Sequence, residues 1–112
     1  MIAGPDDDAA VREAMGGVSF VIGAASDRTG TRLEGPALPA HCMQSAWDRR
    51  SMPMVCGAIE MTPAGLVVLG PDHPTTGGYP VIGVVRRDAI GRLFARPIGA
   101  RITLRISAAK PE

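Results

Sequence analysis

Two short apolar runs, GLVVLG (65–70) and VIGVV (81–85), are held apart by PDHPTTGGYP (71–80), which packs three prolines and an adjacent glycine pair into one segment. No helix passes through such a stretch, because each proline fixes φ and removes a backbone donor. The flanking runs have the length of buried strands and fall far short of the ~20 residues that a membrane-spanning helix needs. The same punctuation recurs throughout, with 14 Gly and 10 Pro in 112 residues. Such a chain has to be assembled from short strands joined by frequent turns.

The remaining runs fit that scheme. VSFVIGA (18–24) has the β-branched and aromatic density of a strand, and Thr31 to Glu34 reads as another, entered through a turn at Thr29-Gly30. VCGAIEM (55–61) and LVVLG (66–70) predict two strands joined by Thr62-Pro63-Ala64-Gly65, with Pro63 and Gly65 setting the turn. VIGVV is apolar enough to be buried on both faces, and RITLRIS (101–107) alternates as a half-exposed strand. Two short helices are predicted. DDDAAVREAMGG (6–17) carries Asp6 to Asp8 at its start, Gly16-Gly17 at its exit and Val11, Ala14 and Met15 facing inward. RRDAIGRLFA (86–95) spaces Ile90, Leu93 and Phe94 helically behind Asp88 as a cap, although Gly91 costs about 1 kcal/mol relative to alanine. Residues 37–52 show no period and read as a long loop, and AAKPE (108–112) as a frayed tail. The expected fold is a mainly β barrel, closed or partly open, with one or two short helices in a single domain spanning 1–112.

Composition narrows the function. Twelve Lys and Arg against eleven Asp and Glu leave a formal charge of +1, too small for general nucleic-acid attraction, although the arginines between Arg86 and Arg105 leave room for a local basic face. Cys42 and Cys56 have no metal-type spacing and follow no leader-like segment, which predicts free thiols and a cytoplasmic protein without membrane contact. His41 and His73 are too few for a metal site. His73 beside Asp72 offers acid–base chemistry, but the plainer reading is a loop histidine bonded to its neighbour. Cys56 reads as a buried structural thiol rather than a nucleophile. TTGGY lacks the full pattern of a phosphate-binding loop. Arg28 and Arg32 flank Gly30 and could hold a carboxylate, with surface salt bridges as the plainer alternative.

Four segments, in order, resemble one family: IAGP at the start, SDRTGTRLEGPAL (family pattern close to SDRMGYRLEGP), MPMVCGAIEM (close to GVVPGAIQVP) and DHPTTGGYPVIGVV (close to DRQTTGGYPKIATV). The chain is similar over nearly its whole length to the C-terminal part of allophanate hydrolase subunit 2, which is also known as the C-type subunit of biotin-dependent carboxyltransferases. That family includes the C-type subunit of 5-oxoprolinase, the KipA antagonist of a kinase inhibitor, and the carboxyltransferase part of urea amidolyase. The sequence departs from the family pattern at Thr29, Thr31, Cys56, Ala100 and Glu60, where Glu replaces a Gln and exchanges amide donors for a charge.

The resemblance implies a cyclophilin-like β-barrel in which residues 1–112 correspond to the C-terminal half of the family's carboxyltransferase domain. It implies a substrate-binding cleft lined by Arg28, Arg32, Glu60, Thr75, Thr76, Gly77, Gly78 and Tyr79, with no catalytic residue identified. The cleft would be completed by the N-terminal half and by a second barrel protein, the family's B-type subunit. Biotin carried on a partner, or ATP used by the assembled enzyme, would belong to those pieces and not to this chain. The alternative expectation is a non-catalytic barrel that binds a partner protein or forms a homodimer, in the manner of KipA.

Overall fold

Antiparallel pairing organises the chain. The computed structural model describes residues 2–3, 18–35, 52–63 and 65–105. Its elements run β1 (Ile2–Ala3), β2 (Ser19–Ile22), β3 (Gly30–Glu34), β4 (Met52–Pro53), β5 (Ala58–Thr62), β6 (Gly65–Leu69), β7 (Thr76–Gly77), β8 (Val81–Val84), α1 (Arg87–Phe94) and β9 (Arg101–Thr103). Seven of these strands form one antiparallel sheet in the order β1–β8–β5–β6–β3–β2–β9, and β4 pairs with β7 apart from it. β1 and β9 are the ends of the sheet and do not pair with each other among the described residues. The fold is therefore mainly β and a partly open barrel, as the short runs predict. No helix among the described residues is long and apolar enough to cross a membrane.

Alternation along the central strands sorts the side chains by face. On β3, β6 and β5, Leu33, Leu66, Val68, Ile59 and Met61 point to one side and join Phe20, Ile82, Val85 and Leu104 in the main core. Helix α1 closes that core with Ala89, Ile90, Leu93 and Phe94. The other side carries a smaller cluster of Met54, Ala58, Leu69 and Val81, with Val67 and Val84 against it. Val81 and Val84 reach the same cluster because β8 bulges. Ala58 faces Val84 and Ile59 faces Gly83, whereas Glu60 faces Val81. The extra residue, Ile82, is sent into the main core and is 1% exposed.

The turns show why the strands stop where they do. Asp27 Oδ1 accepts from the backbone N–H of Thr29 at 2.8 Å and of Gly30 at 3.3 Å, fixing the entry to β3. Between β5 and β6 the Thr62 hydroxyl donates to the Gly65 carbonyl at 2.7 Å, and Gly65 takes the positive φ (123°) that closes the hairpin.

Several details differ from expectation. The strand predicted from Val55 starts at Ala58, because Gly57 turns the chain at φ 92° and its backbone is taken up by Leu69 and Val85. Cys56 lies in that turn and is half-buried, not the buried thiol expected. Asp88 does not cap α1: the N-cap residue is Arg86, and Asp88 sits in the first turn with its carboxylate 3.3 Å from Arg86 Nε. Met52, expected at the end of a loop, begins β4. VIGVV is buried as predicted except at Val84, which is partly exposed. The helix expected over 6–17, the rest of the loop expected over 37–52, Cys42, His41 and the tail lie outside the described residues.

Candidate functional site

Strand register builds a row of three side chains. Arg32 on β3 and Glu60 on β5 both lie opposite Val67 on β6. Paired residues on neighbouring strands share a face, so all three project from the side of the sheet away from α1. Two strand spacings separate the Arg32 and Glu60 backbones, roughly 10 Å, so long side chains of opposite charge stand on either side of an apolar floor. Gly30 and Leu69 form the adjacent pair. A Cβ on Gly30 would lie 2.7 Å from Val67 Cγ1, so glycine is what lets the strands close up at this point.

Above the row lies an open concavity of about 510 Å³ lined by Asp27, Thr29, Arg32, Glu60, Thr62, Pro63, Val67, Leu69, Pro74 and Tyr79, among others. That volume falls within the ordinary range for a small-molecule site, about 300–1,000 Å³. Neither Arg32 nor Glu60 has an ion-pair partner among the described residues. Glu60 is half-buried, and burial raises its carboxyl above the usual carboxylate range. The cause is visible at Gly77, where an added Cβ would fall 3.0 Å from Glu60 Oε2 and 3.3 Å from Met54 Cγ. The carboxylate thus lies close against the bare backbone of Gly77, a place that Met54 also crowds. Chemically, the arrangement provides a guanidinium for an anionic group, a carboxyl for an N–H donor, an apolar floor and a phenol at the rim.

The residues expected to form the cleft divide into two groups. Arg32, Glu60 and Tyr79 line the concavity together. Gly77 touches it from behind through Glu60. Thr75 and Thr76 are exposed and lie outside its wall: β7 pairs Thr76 with Pro53 and Gly77 with Met52, and the Thr75 carbonyl accepts from Met54 N–H at 3.0 Å. Gly78 stands in open space. Neither Gly77 nor Gly78 has a positive φ, so the glycine pair serves close approach at Gly77 and not unusual dihedrals. Arg28 faces a neighbouring hollow with Phe94 and Ile98, and its Nε donates to Asp72 Oδ2 at 3.0 Å. Asp72 therefore orients Arg28 and not His73, whose Nδ1 sits 2.7 Å from the Pro74 carbonyl oxygen.

Sequence reading missed Asp27, Thr62 and Val67. Thr62 was accessible in principle, since it lies two residues beyond Glu60 on one strand. Val67 needed the register between β3 and β6, strands distant in sequence, which no local pattern carries.

A half-open antiparallel barrel with this concavity on its inner strands defines the class of fold, and the sequence defines the family. Residues 1–106 match the family model for the carboxyltransferase domain, subdomains A and B, and the chain belongs to that family. Solved structures share the fold. The protein TTHA0988 is 24% identical with a TM-score of 0.76 over 95% of this chain and 20% of its own. The urea amidolyase of K. lactis is 21% identical with a TM-score of 0.79 over 91% of this chain and 7% of its own. The urea carboxylase of Kluyveromyces lactis gives the same identity and score over 10% of its chain. No match was found among curated proteins. This chain spans a fifth or less of the solved proteins it resembles.

Proposed function

We propose that this chain supplies one wall of the substrate cleft in a biotin-dependent carboxyltransferase or 5-oxoprolinase-type protein, acting as the C-terminal module of that domain. The observation that carries the reading is the Arg32–Val67–Glu60 row, which places a guanidinium and a carboxyl on either side of one apolar floor. In this reading Arg32 anchors a substrate carboxylate, Glu60 accepts from a substrate N–H, and Tyr79 closes the rim. Thr75, Thr76 and the backbone at Gly77-Gly78 face the piece of protein that completes the cleft. Biotin and ATP are carried or used by partner pieces. A wall open to solvent activates no nucleophile, so the chain by itself binds without turnover.

The test combines this chain with the remaining half of a family domain and a B-type subunit, and measures carboxyl transfer and ATP-dependent 5-oxoproline cleavage. Turnover in the full mixture, lost with Arg32→Gln, is the expected result. Absence of turnover with every component folded overturns the proposal.

The open sheet ends favour a second reading, a non-catalytic barrel that pairs with a partner or with itself. β1 and β9 each have one described neighbour, and Val55 and Ile98 are 54% and 60% exposed. Unpaired edges and apolar surface are relieved by association. Light scattering decides the self-association form: a strictly monomeric species at high concentration removes it.

A further inference from the structure

Away from the concavity, α1 and the edge strand β9 enclose a groove of about 300 Å³ that shares no described lining residue with it. Its floor is apolar: Val85, Ala89, Leu93, Ile102 and Leu104. Its rim is basic, formed by Arg86, Arg92, Arg96 and Arg105. Between positions 85 and 105 the sequence holds six arginines and a single acidic residue, Asp88, which already faces Arg86 at 3.3 Å. Four of these six arginines line the groove, so in a chain of net charge +1 the excess of one sign is concentrated there.

Two features of the groove select its occupant. The arginines alone would suit any polyanion, but a floor of Leu, Ile, Val and Ala does nothing for a phosphate backbone, and none of the described lining residues is an aromatic on which a base could stack. The groove also runs beside a strand that ends the sheet, with β2 as its one described neighbour, so an extended chain can lie along β9. We infer that the groove between α1 and β9 is a docking surface for an acidic protein segment, whose apolar side chains fill the floor and whose carboxylates meet Arg92 and Arg96. This holds under either reading of the function, because nothing in it depends on the Arg32–Glu60 row.

The experiment uses the full chain and three fluorescent probes: a short synthetic peptide alternating Leu with Glu, the same peptide with Ser in place of Leu, and an oligothymidylate. The Leu–Glu peptide is expected to bind saturably, at least about tenfold more tightly than its Ser counterpart, and to weaken as salt rises. The charge reversals Arg92→Glu and Arg96→Glu together are expected to abolish binding. Both residues are exposed, so the fold should survive. The neutral pair Arg92→Gln and Arg96→Gln gives the same readout, weakened at least about tenfold, if reversal unfolds the helix. Equal affinity for the Leu and Ser peptides, tighter binding of the oligothymidylate, or binding unaffected by the folded variants overturns the inference.

Discussion

The two faces of β3, β6 and β5 are built from alternate residues of the same strands and behave as different materials. One face places Leu33, Ile59, Met61, Leu66 and Val68 at 3% exposure or less. The other sets Arg32, Val67, Glu60 and Thr62 around an open concavity. The apolar face holds the strands in register, and the register delivers Arg32 and Glu60 to opposite sides of Val67. Stability and recognition are thus separated by a single residue step, and substitutions one position apart should have unlike consequences.

The largest effect is expected at Ile59, which has no exposure and sits between β6 and β8. Ile59→Ala should lower unfolding free energy by about 2–5 kcal/mol, read from denaturant melts. Its chain neighbour Glu60 should not behave in this way. A cost below about 1 kcal/mol at Ile59 would mean that the core can collapse around the gap, and would break the contrast. Next in size is Arg32→Gln. It should leave the melt within about 0.5 kcal/mol of the parent, while the affinity of a small carboxylate such as 5-oxoproline, followed by amide shifts at Gly30, Arg32 and Tyr79, falls at least about tenfold.

The apolar face was legible because period-two alternation is a local property. GAIEM and LVVL announce which residues go inward, and RITLRIS announces a half-exposed strand, of which the structure forms Arg101–Thr103. The site was legible only in part. Arg32 stands out beside Arg28 around Gly30, and Glu60 as the one charge on its strand, but their meeting over Val67 depends on pairing between strands distant in sequence. An adjacent glycine pair allows both φ values closed to other residues and close approach. Among the described residues the positive φ values fall elsewhere, at Gly57, Gly65 and Gly99. What the pair provides is close approach at Gly77, whose bare backbone admits the carboxylate of Glu60, a contact between residues that no turn rule connects.

Glu60 gives the contrast a pH signature. Burial raises its folded-state carboxyl above its unfolded value, so the folded chain holds this proton more tightly. The associated stability is fully present below the ordinary carboxyl range and is lost as pH rises through the raised folded value. Glu60→Gln removes that loss. The variant should therefore match the parent in acid and melt higher at neutral pH, while binding carboxylate ligands with altered selectivity. A variant less stable than the parent at neutral pH would show that Glu60 has a stabilising partner when ionised.

Smaller effects belong to the TTGGYP segment. Gly78 has open space where a Cβ would go and no positive φ, so Gly78→Ala should be neutral or stabilise by about 0.4–1 kcal/mol through the unfolded chain. Gly77→Ala cannot share that outcome. Its Cβ would push Glu60 Oε2 aside by a few tenths of an ångström, and should alter ligand binding and the pH profile more than the melt. Equal behaviour of the two variants would remove the argument that Gly77 shapes the site.

The smallest effect is expected at the arginine that stands outside the concavity. Arg28 and Asp72 form an ion pair at 3.0 Å with side chains 72% and 59% exposed, so solvent screens most of its energy. A double-mutant cycle with Arg28→Ala and Asp72→Ala should give a coupling of about 0–1 kcal/mol, toward the lower end and shrinking with salt. The segment does not need more, because backbone bonds already fasten it. Asp72 N–H donates to the Arg28 carbonyl at 3.0 Å, Gly70 N–H to Thr29 at 2.9 Å, and His73 N–H to Gly70 at 3.1 Å. Gly70 makes this approach possible, since any Cβ there would collide with the Arg28 carbonyl oxygen. A coupling well above 1 kcal/mol would mean that side chains and not backbone hold the loop against β3, and Arg28 would then join Arg32 in positioning the rim of the concavity.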